Sequence, residues 1–145
     1  MTQVDVLIHE ASYERIAQAL RERCPQVRAV TWHSDGSMSV GRQSIAAGDT
    51  SPRAGWISVD VLGAKLMDEY TQALCASGSI EWIQTINAGL DFPGYAQLAE
   101  HGITISKSGA QSIPIAEYVL AYALEHTQKF DERRAGEASK TWAPH

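Results

Sequence analysis

The sequence alternates repeatedly between short β-type runs and segments with helical periodicity, and this alternation constrains the fold more than any other feature. Runs rich in β-branched and aromatic residues lie at 4–8, 27–32, 54–59, 80–86 and 103–105. Apolar residues recur at helical spacing in 13–23, 65–76, 93–101 and 113–129. Parallel strands need crossover connections, which are usually helices. The order therefore predicts an α/β fold with a mainly parallel sheet and helices on both faces.

The chain length favours a single domain of this class. At 145 residues the chain can bury one core but is too short for two full α/β domains. We expect a five-stranded, flavodoxin-like sheet of order 2-1-3-4-5 within residues 1–130, followed by a polar linker over 131–145. Residues 33–53 hold neither a period of 2 nor one of 3.6, so we expect mostly loop there, with room for a short helix near 41–47. Ser12 is the expected N-cap of the first helix.

Composition argues against several classes of function. A formal net charge of −5 argues against a nucleic-acid partner, because such proteins usually carry a basic patch. No apolar stretch reaches the roughly 18 residues of a membrane span, and the N-terminus lacks the apolar core of a secretory signal. We therefore expect a cytoplasmic protein without a membrane partner. Cys24 and Cys75 lie far apart and are expected to be packing residues. The five histidines show no metal-ligand spacing and pair with no convincing Asp or Glu constellation, so we expect no metal site.

Two small polar segments that follow expected strands are the candidate binding loops. Residues 87–91 follow the fourth strand and residues 106–112 follow the fifth, and ligands of open α/β sheets lie at the carboxyl ends of strands. Gly89 permits backbone conformations and close approaches that a Cβ would prevent, so the amides of Ala88, Gly89 and Leu90 could bind a carboxylate or phosphate. The alternative is that Gly89 only forms a turn before the next helix, which is the commoner role of such a glycine.

The last helix, 113–129, is apolar nearly all round. It must therefore be covered on several sides, by another domain or by a second copy of the chain. Ser112 precedes Ile113 and Pro114 and is the expected N-cap, at a helix end that favours anions. Glu117 lies in the first turns and is either a buried structural carboxylate or a catalytic acid, of which we favour the structural role.

Catalytic and nucleotide-binding motifs narrow the choice further. The sequence contains no GxSxG, P-loop or GxGxxG motif, which removes the simplest routes to hydrolase, NTPase and autonomous dinucleotide-binding functions. Three other segments occur in an informative order: EWIQTINAGLD at 81–91, GITIS at 102–106 and SIPIAEY at 112–118. In order and spacing they resemble the N-terminal half of the D-isomer-specific 2-hydroxyacid dehydrogenases, and the resemblance is strong over residues 56–124.

The resemblance implies a substrate-binding, or catalytic, domain that accompanies a Rossmann domain holding NAD or NADP. In such an enzyme hydride passes between NAD(P)H and a small 2-oxo or 2-hydroxy acid. The residues implied in substrate binding, with backbone amides on the substrate carboxylate, are Asn87, Ala88, Gly89 and Leu90. Ser112 stands at the family's usual threonine and is implied to lie beside the nicotinamide. The helix over 113–129 is implied to form both the interdomain hinge and a homodimer interface.

The resemblance also assigns part of the chemistry to residues outside this sequence. In the family, the catalytic Arg, Glu and His belong to the nucleotide-binding domain, whose GxGxxG does not occur here. We therefore expect a truncated chain or isolated domain that binds neither NAD nor NADP tightly, has no catalytic residue of its own and is inactive alone. The alternative is a stand-alone, non-catalytic binding or dimerisation module of the same fold.

Overall fold

Strands and helices alternate along the chain, as the sequence pattern predicts. The computed structural model describes residues 3–140, except for the side chain of Ala47. The strands are β1 (Val4–His9), β2 (Val27–Trp32), β3 (Met38–Val40), β4 (Gln43–Ile45), β5 (Ala54–Ile57), β6 (Trp82–Thr85) and β7 (Thr104–Ser106). The helices are α1 (Glu10–Arg23), α2 (Val59–Gly63), α3 (Met67–Ala76), α4 (Pro93–Glu100), α5 (Ser112–Gln128) and α6 (Phe130–Ala138), with a 3₁₀ turn at Ala47–Asp49.

The strands within the described residues form one sheet of seven in the order β4-β3-β2-β1-β5-β6-β7. The pairs β2–β1, β1–β5, β5–β6 and β6–β7 are parallel, whereas β2–β3 and β3–β4 are antiparallel. The protein is therefore an α/β protein with a mostly parallel sheet. When the antiparallel strands are left out, the five parallel strands follow the predicted order, 2-1-3-4-5.

The prediction of five strands is wrong, because β3 and β4 form a hairpin within the region that we expected to be mostly loop. The hairpin extends the sheet beyond β2, with Ser39 paired to Thr31 on one side and to Ser44 on the other. The helix considered near 41–47 is instead β4 and the start of the 3₁₀ turn. Each strand of the hairpin has only three residues, which are too few to establish a period of 2.

The largest apolar cluster lies on one face of the sheet, beneath α2, α3 and α4. Its fully buried members are Leu7, Val30, Ile57 and Ile83 from the strands and Val61, Tyr70, Leu74 and Leu98 from the helices. Burying a large apolar side chain of this kind contributes about 1.5–3 kcal/mol relative to exposure. Helix α1 supplies no residue to the cluster as described. Because α1 leads from β1 towards β2, in the direction opposite to the later crossovers, right-handed connections place it on the other face.

Helix α1 begins earlier than the sequence suggests, and Ser12 is not its N-cap. The helix starts at Glu10, with His9 at the cap position. Ser12 lies inside the helix and is buried, where its hydroxyl donates to Asp60 Oδ2 at 2.8 Å and is also hydrogen-bonded to the Ser58 hydroxyl. The side chain therefore joins α1 to the start of α2 instead of capping α1.

Residues 110 onwards form a second compact unit, separated from the first between Gly109 and Ala110. Its first helix, α5, begins at Ser112 with Gln111 at the cap position, so the N-cap prediction for Ser112 is wrong by one residue. Lys129 adopts a left-handed conformation (φ 50°, ψ 49°) and separates α5 from α6. The polar segment expected to be a linker is therefore helical over Phe130–Ala138, and the remainder of that segment from 141 lies outside the described residues.

Candidate functional site

The loop that follows β6 is held in place by a hydrogen-bonded anchor at its first residue. Asn87 Nδ2 donates to the Tyr95 hydroxyl at 2.8 Å, and the Asn87 backbone N–H donates to Thr85 Oγ1 at 3.2 Å. The hydroxyls of Tyr95 and Thr85 are themselves 2.7 Å apart and buried. Thr85 is the last residue of β6 and Tyr95 belongs to α4, so the strand and the helix together fix where the loop starts.

A second contact brings the loop after β7 next to the loop after β6. The Ser108 backbone N–H donates to the Asn87 carbonyl at 3.0 Å. At the end of β7, the Ser106 hydroxyl accepts a hydrogen bond from Trp82 Nε1 at 2.8 Å. Both loops lie at the carboxyl ends of parallel strands, which is the usual location of ligands in open α/β sheets.

Free backbone donors follow the anchor. Ala88, Gly89 and Leu90 are exposed, and within residues 3–140 no hydrogen bond involves their backbone N–H groups. Successive unpaired N–H groups form a concave surface of positive partial charge that suits carboxylates and phosphates. Helix α4 begins at Pro93 a few residues later, and its N-terminus adds partial positive charge near the same loop. The arrangement is chemically suited to bind a small anion.

Gly89 is required here by close packing and not by an unusual backbone angle. The glycines with positive φ are at other positions, so the expectation that Gly89 needs a conformation forbidden to other residues is wrong. A Cβ at Gly89 would instead lie 2.9 Å from Oδ2 of Asp91. The Asp91 carboxylate therefore lies beside the free N–H groups, where its charge opposes the binding of a second anion.

The other residues singled out from sequence lie in the second unit. Ser112 is exposed in the first turn of α5 and Glu117 is exposed on the same helix. Because Glu117 is not buried, the expected role as a buried structural carboxylate is wrong. The apolar side chains of α5 are exposed as well, for example Ile113 at 71% and Tyr118 at 62%.

One hydrogen-bonded cluster was missed from the sequence. His33 Nδ1 lies 2.8 Å from Glu10 Oε2, and His33 Nε2 lies 2.8 Å from the Ser39 hydroxyl. Hydrogen bonds from His33 and from the Ser34 N–H hold the pKa of Glu10 below its ordinary value. The expectation that no carboxylate pairs with a histidine is therefore wrong. No short-range motif could have revealed the pairing, because Glu10 and His33 are 23 residues apart.

His9 is a second histidine in the same area. Its side chain is buried, with the ring centroid 5.8 Å from that of Trp32 and Nε2 at 3.4 Å from the Ser34 hydroxyl. Burial lowers the pKa of His9, since the charged imidazolium loses its hydration, and the nearby Glu10 carboxylate offsets only part of this effect. Nδ1 of His9 has no hydrogen-bond partner among the described residues.

Comparisons with known proteins do not assign this site. A scan against models of protein families and a search of curated proteins both found no match to the chain. Among the residues that the structure describes, no three His, Cys, Asp or Glu side chains are grouped so that they could hold a metal ion. No helix in this part of the chain combines the length and the hydrophobicity that crossing a membrane requires.

Proposed function

We propose that this chain is the substrate-binding domain of an NAD(P)-dependent D-2-hydroxyacid dehydrogenase, with a small 2-oxo or 2-hydroxy acid as substrate. The observation that carries the proposal is the set of three exposed, unpaired N–H groups at Ala88, Gly89 and Leu90, at the carboxyl end of β6. A 2-oxo acid has one carboxylate, which can accept hydrogen bonds from such groups. The sequence segments at 81–91, 102–106 and 112–118 support the same family.

The topology supports the proposal at the level of the fold. The parallel strands have the order β2-β1-β5-β6-β7, which is the flavodoxin-like order expected of this domain. In this fold the loops at the carboxyl ends of the strands bind the ligand, and the hydrogen bond between Ser108 and Asn87 joins two of these loops. The antiparallel β3–β4 hairpin is an addition at the far edge of the sheet and leaves the β6–β7 region unchanged.

The roles of the residues follow from their contacts. Asn87 acts through its hydrogen bonds to Tyr95 and Thr85 and positions the loop, whereas the N–H groups of the next three residues bind the substrate carboxylate. Charge-assisted hydrogen bonds to a carboxylate contribute about 1.5–3 kcal/mol each. The nicotinamide cofactor, on a second domain, supplies hydride. We propose that Ser112 lies beside it and that these 145 residues orient substrate without transferring hydride by themselves.

The test is a titration of the ¹⁵N-labelled chain with pyruvate, followed by amide chemical shifts. We expect the shifts to move at 88–90, and pyruvamide, which lacks the carboxylate, to leave them unchanged. Replacing Leu90→Pro removes one N–H donor and is expected to weaken binding about tenfold or more, whereas Leu90→Ala retains the donor and the affinity. Pyruvate-dependent shifts confined to residues outside 87–91 would contradict the proposed site.

The second candidate is a stand-alone dimerisation module of the same fold. It is favoured by the exposed apolar residues of α5, where the Tyr118 and Tyr122 rings also lie 4.5 Å apart and are both exposed. Exposed apolar surface of this extent is typical of an interaction site. Both candidates include a homodimer through α5, so sedimentation tests that interface and pyruvate binding distinguishes the two. A chain that remains monomeric at high concentration would remove the interface.

A further inference from the structure

A histidine lies between a serine and a carboxylate on the side of the sheet away from the candidate anion site. Nε2 of His33 is 2.8 Å from Oγ of Ser39, and Nδ1 of the same ring is 2.8 Å from Oε2 of Glu10. The two ring nitrogens therefore contact the two groups that a nucleophile–base–orienter arrangement requires, and each contacts the correct one. Unrelated folds reach this arrangement from different chain orders, so geometry identifies it better than sequence position does.

Three separate elements place these residues. Glu10 is the first residue of α1, His33 follows β2 directly, and Ser39 is the middle residue of β3. In the sheet, Ser39 lies between Thr31 and Ser44, whose side chains point to the same face because directly paired residues share a face. These neighbours are small and polar, so a small group has access to the Ser39 hydroxyl, which is only half-buried.

The orienting carboxylate is itself held in place. Glu10 Oε1 accepts from the Ser34 backbone N–H at 3.1 Å and from the Ser34 hydroxyl at 3.0 Å, while Oε2 faces His33. An ionised carboxylate accepts only, so Nδ1 of His33 carries the proton and Nε2 is left with a lone pair directed at Ser39. The Ser39 hydroxyl then donates to Nε2, which is the direction that general-base activation needs.

We propose that Ser39, His33 and Glu10 form a nucleophilic site that accepts an acyl group from a small, uncharged, activated ester. The site is independent of the carboxylate-binding function proposed above. Oγ of Ser39 forms a bond to the acyl carbon while its proton passes to Nε2 of His33. The ester C–O bond breaks, the leaving alcohol keeps that electron pair, and His33 returns the proton to the leaving oxygen. The product is acyl-Ser39 and a free alcohol.

The surroundings determine which esters react. The Glu10 carboxylate and the Asp35 carboxylate, which accepts from the Ser37 N–H at 2.9 Å, place negative charge on both sides of His33 in the sequence and disfavour an anionic ester. The N–H groups of Ser34, Gly36 and Ser37 are already hydrogen-bonded. Since these donors are occupied, an oxyanion receives little help from this loop, and we expect a slowly formed acyl-serine instead of rapid hydrolytic turnover.

The experiment uses the full chain and 4-nitrophenyl acetate. We expect a release of nitrophenolate that approaches one equivalent, one added acetyl group by intact mass, and that acetyl on Ser39 by peptide mapping. Ser39→Ala should abolish the release, while Ser44→Ala, which changes the neighbouring serine of the same sheet face, should leave it unchanged. The anionic ester 4-nitrophenyl hemisuccinate should react more slowly than the acetate.

Variants of the two supporting residues test the mechanism. His33→Gln should slow acylation about 100-fold, which is the lower range for loss of a general base. Glu10→Gln should slow it less, and ¹⁵N shifts of the His33 ring should report a mixture of tautomers in place of the single Nδ1–H form. Ser39→Cys, which retains a nucleophile, should still be acylated if the alanine variant fails to fold. Acetyl groups on lysines with Ser39 unmodified, or a His33→Gln variant as fast as the wild type, would overturn the proposal.

Discussion

Removing the hydroxyl group of Tyr95 tests whether the candidate substrate loop depends on its anchor. The hydroxyl makes two hydrogen bonds, to Thr85 Oγ1 at 2.7 Å and to Asn87 Nδ2 at 2.8 Å, and the Tyr95 side chain is buried. Each bond contributes about 0.5–1.5 kcal/mol, so Tyr95→Phe should lower the free energy of unfolding by about 1–3 kcal/mol. The edge-to-face packing of Phe92 on the ring, with centroids 6.0 Å apart, does not involve the hydroxyl and should persist.

Urea denaturation followed by tryptophan fluorescence measures this loss. With a slope of about 1–3 kcal/mol per molar urea for small proteins, the unfolding midpoint should fall by about 1 M. Tyr13→Phe is the matched control, because the Tyr13 hydroxyl has no hydrogen-bond partner among the described residues; it should stay within about 0.5 kcal/mol of the wild type. A double-mutant cycle with Thr85→Val should give a coupling energy of at least about 0.5 kcal/mol.

A second readout connects the anchor to the loop. The Ser108 N–H bonds to the carbonyl of Asn87, so loosening Asn87 in Tyr95→Phe should accelerate hydrogen exchange at the Ser108 amide. An unfolding free energy within about 0.3 kcal/mol of the wild type, together with unchanged exchange at Ser108, would refute the role given to this network.

Three further perturbations have definite expected outcomes. Gly55→Ala places a Cβ 2.5 Å from Cδ2 of the fully buried Leu74 and should destabilise the chain by about 1–3 kcal/mol by thermal melting, whereas Gly63→Ala, with nothing within 4 Å, should be neutral or stabilising. Because burial depresses the pKa of His9 below 6.5, the unfolded chain binds a proton that the folded chain does not; the unfolding free energy should therefore fall as pH drops below about 6.5, and this part of the decline should be absent in His9→Asn. Asp91→Asn removes the carboxylate beside the free N–H groups and should tighten pyruvate binding by a few-fold in the same NMR titration, an effect that should shrink at high salt.

Much of the sheet could be predicted because its parallel strands have strong local signals. The run at 27–32 predicts β2 (Val27–Trp32) at its observed bounds, and Pro25 follows α1 closely, as a residue that cannot continue a helix. The hairpin could not be predicted, because its strands are stabilised by pairing with β2 and not by a pattern of their own. Local sequence carries little information about strands of this length.

The candidate site was only partly predictable for a related reason. The position of the 87–91 loop follows from the end of a strand, which is a local property. The function of Asn87 as an anchor depends on Tyr95, on the next helix, and the pairing of Glu10 with His33 joins α1 to the end of β2. Contacts between elements are set by tertiary packing, so single-sequence patterns identify the loop but not the side chains that hold it.

The central position of β1 has a consequence for folding during synthesis. β2 pairs with β1 soon after it is made, but the other edge of β1 stays open until Ala54 can pair with Val6. From then on each new strand, β6 and then β7, covers the edge left by the one before it. Sheet growth is thus vectorial and follows the order in which a ribosome releases the chain. The early open edge of β1 is the stage most exposed to pairing with another nascent chain.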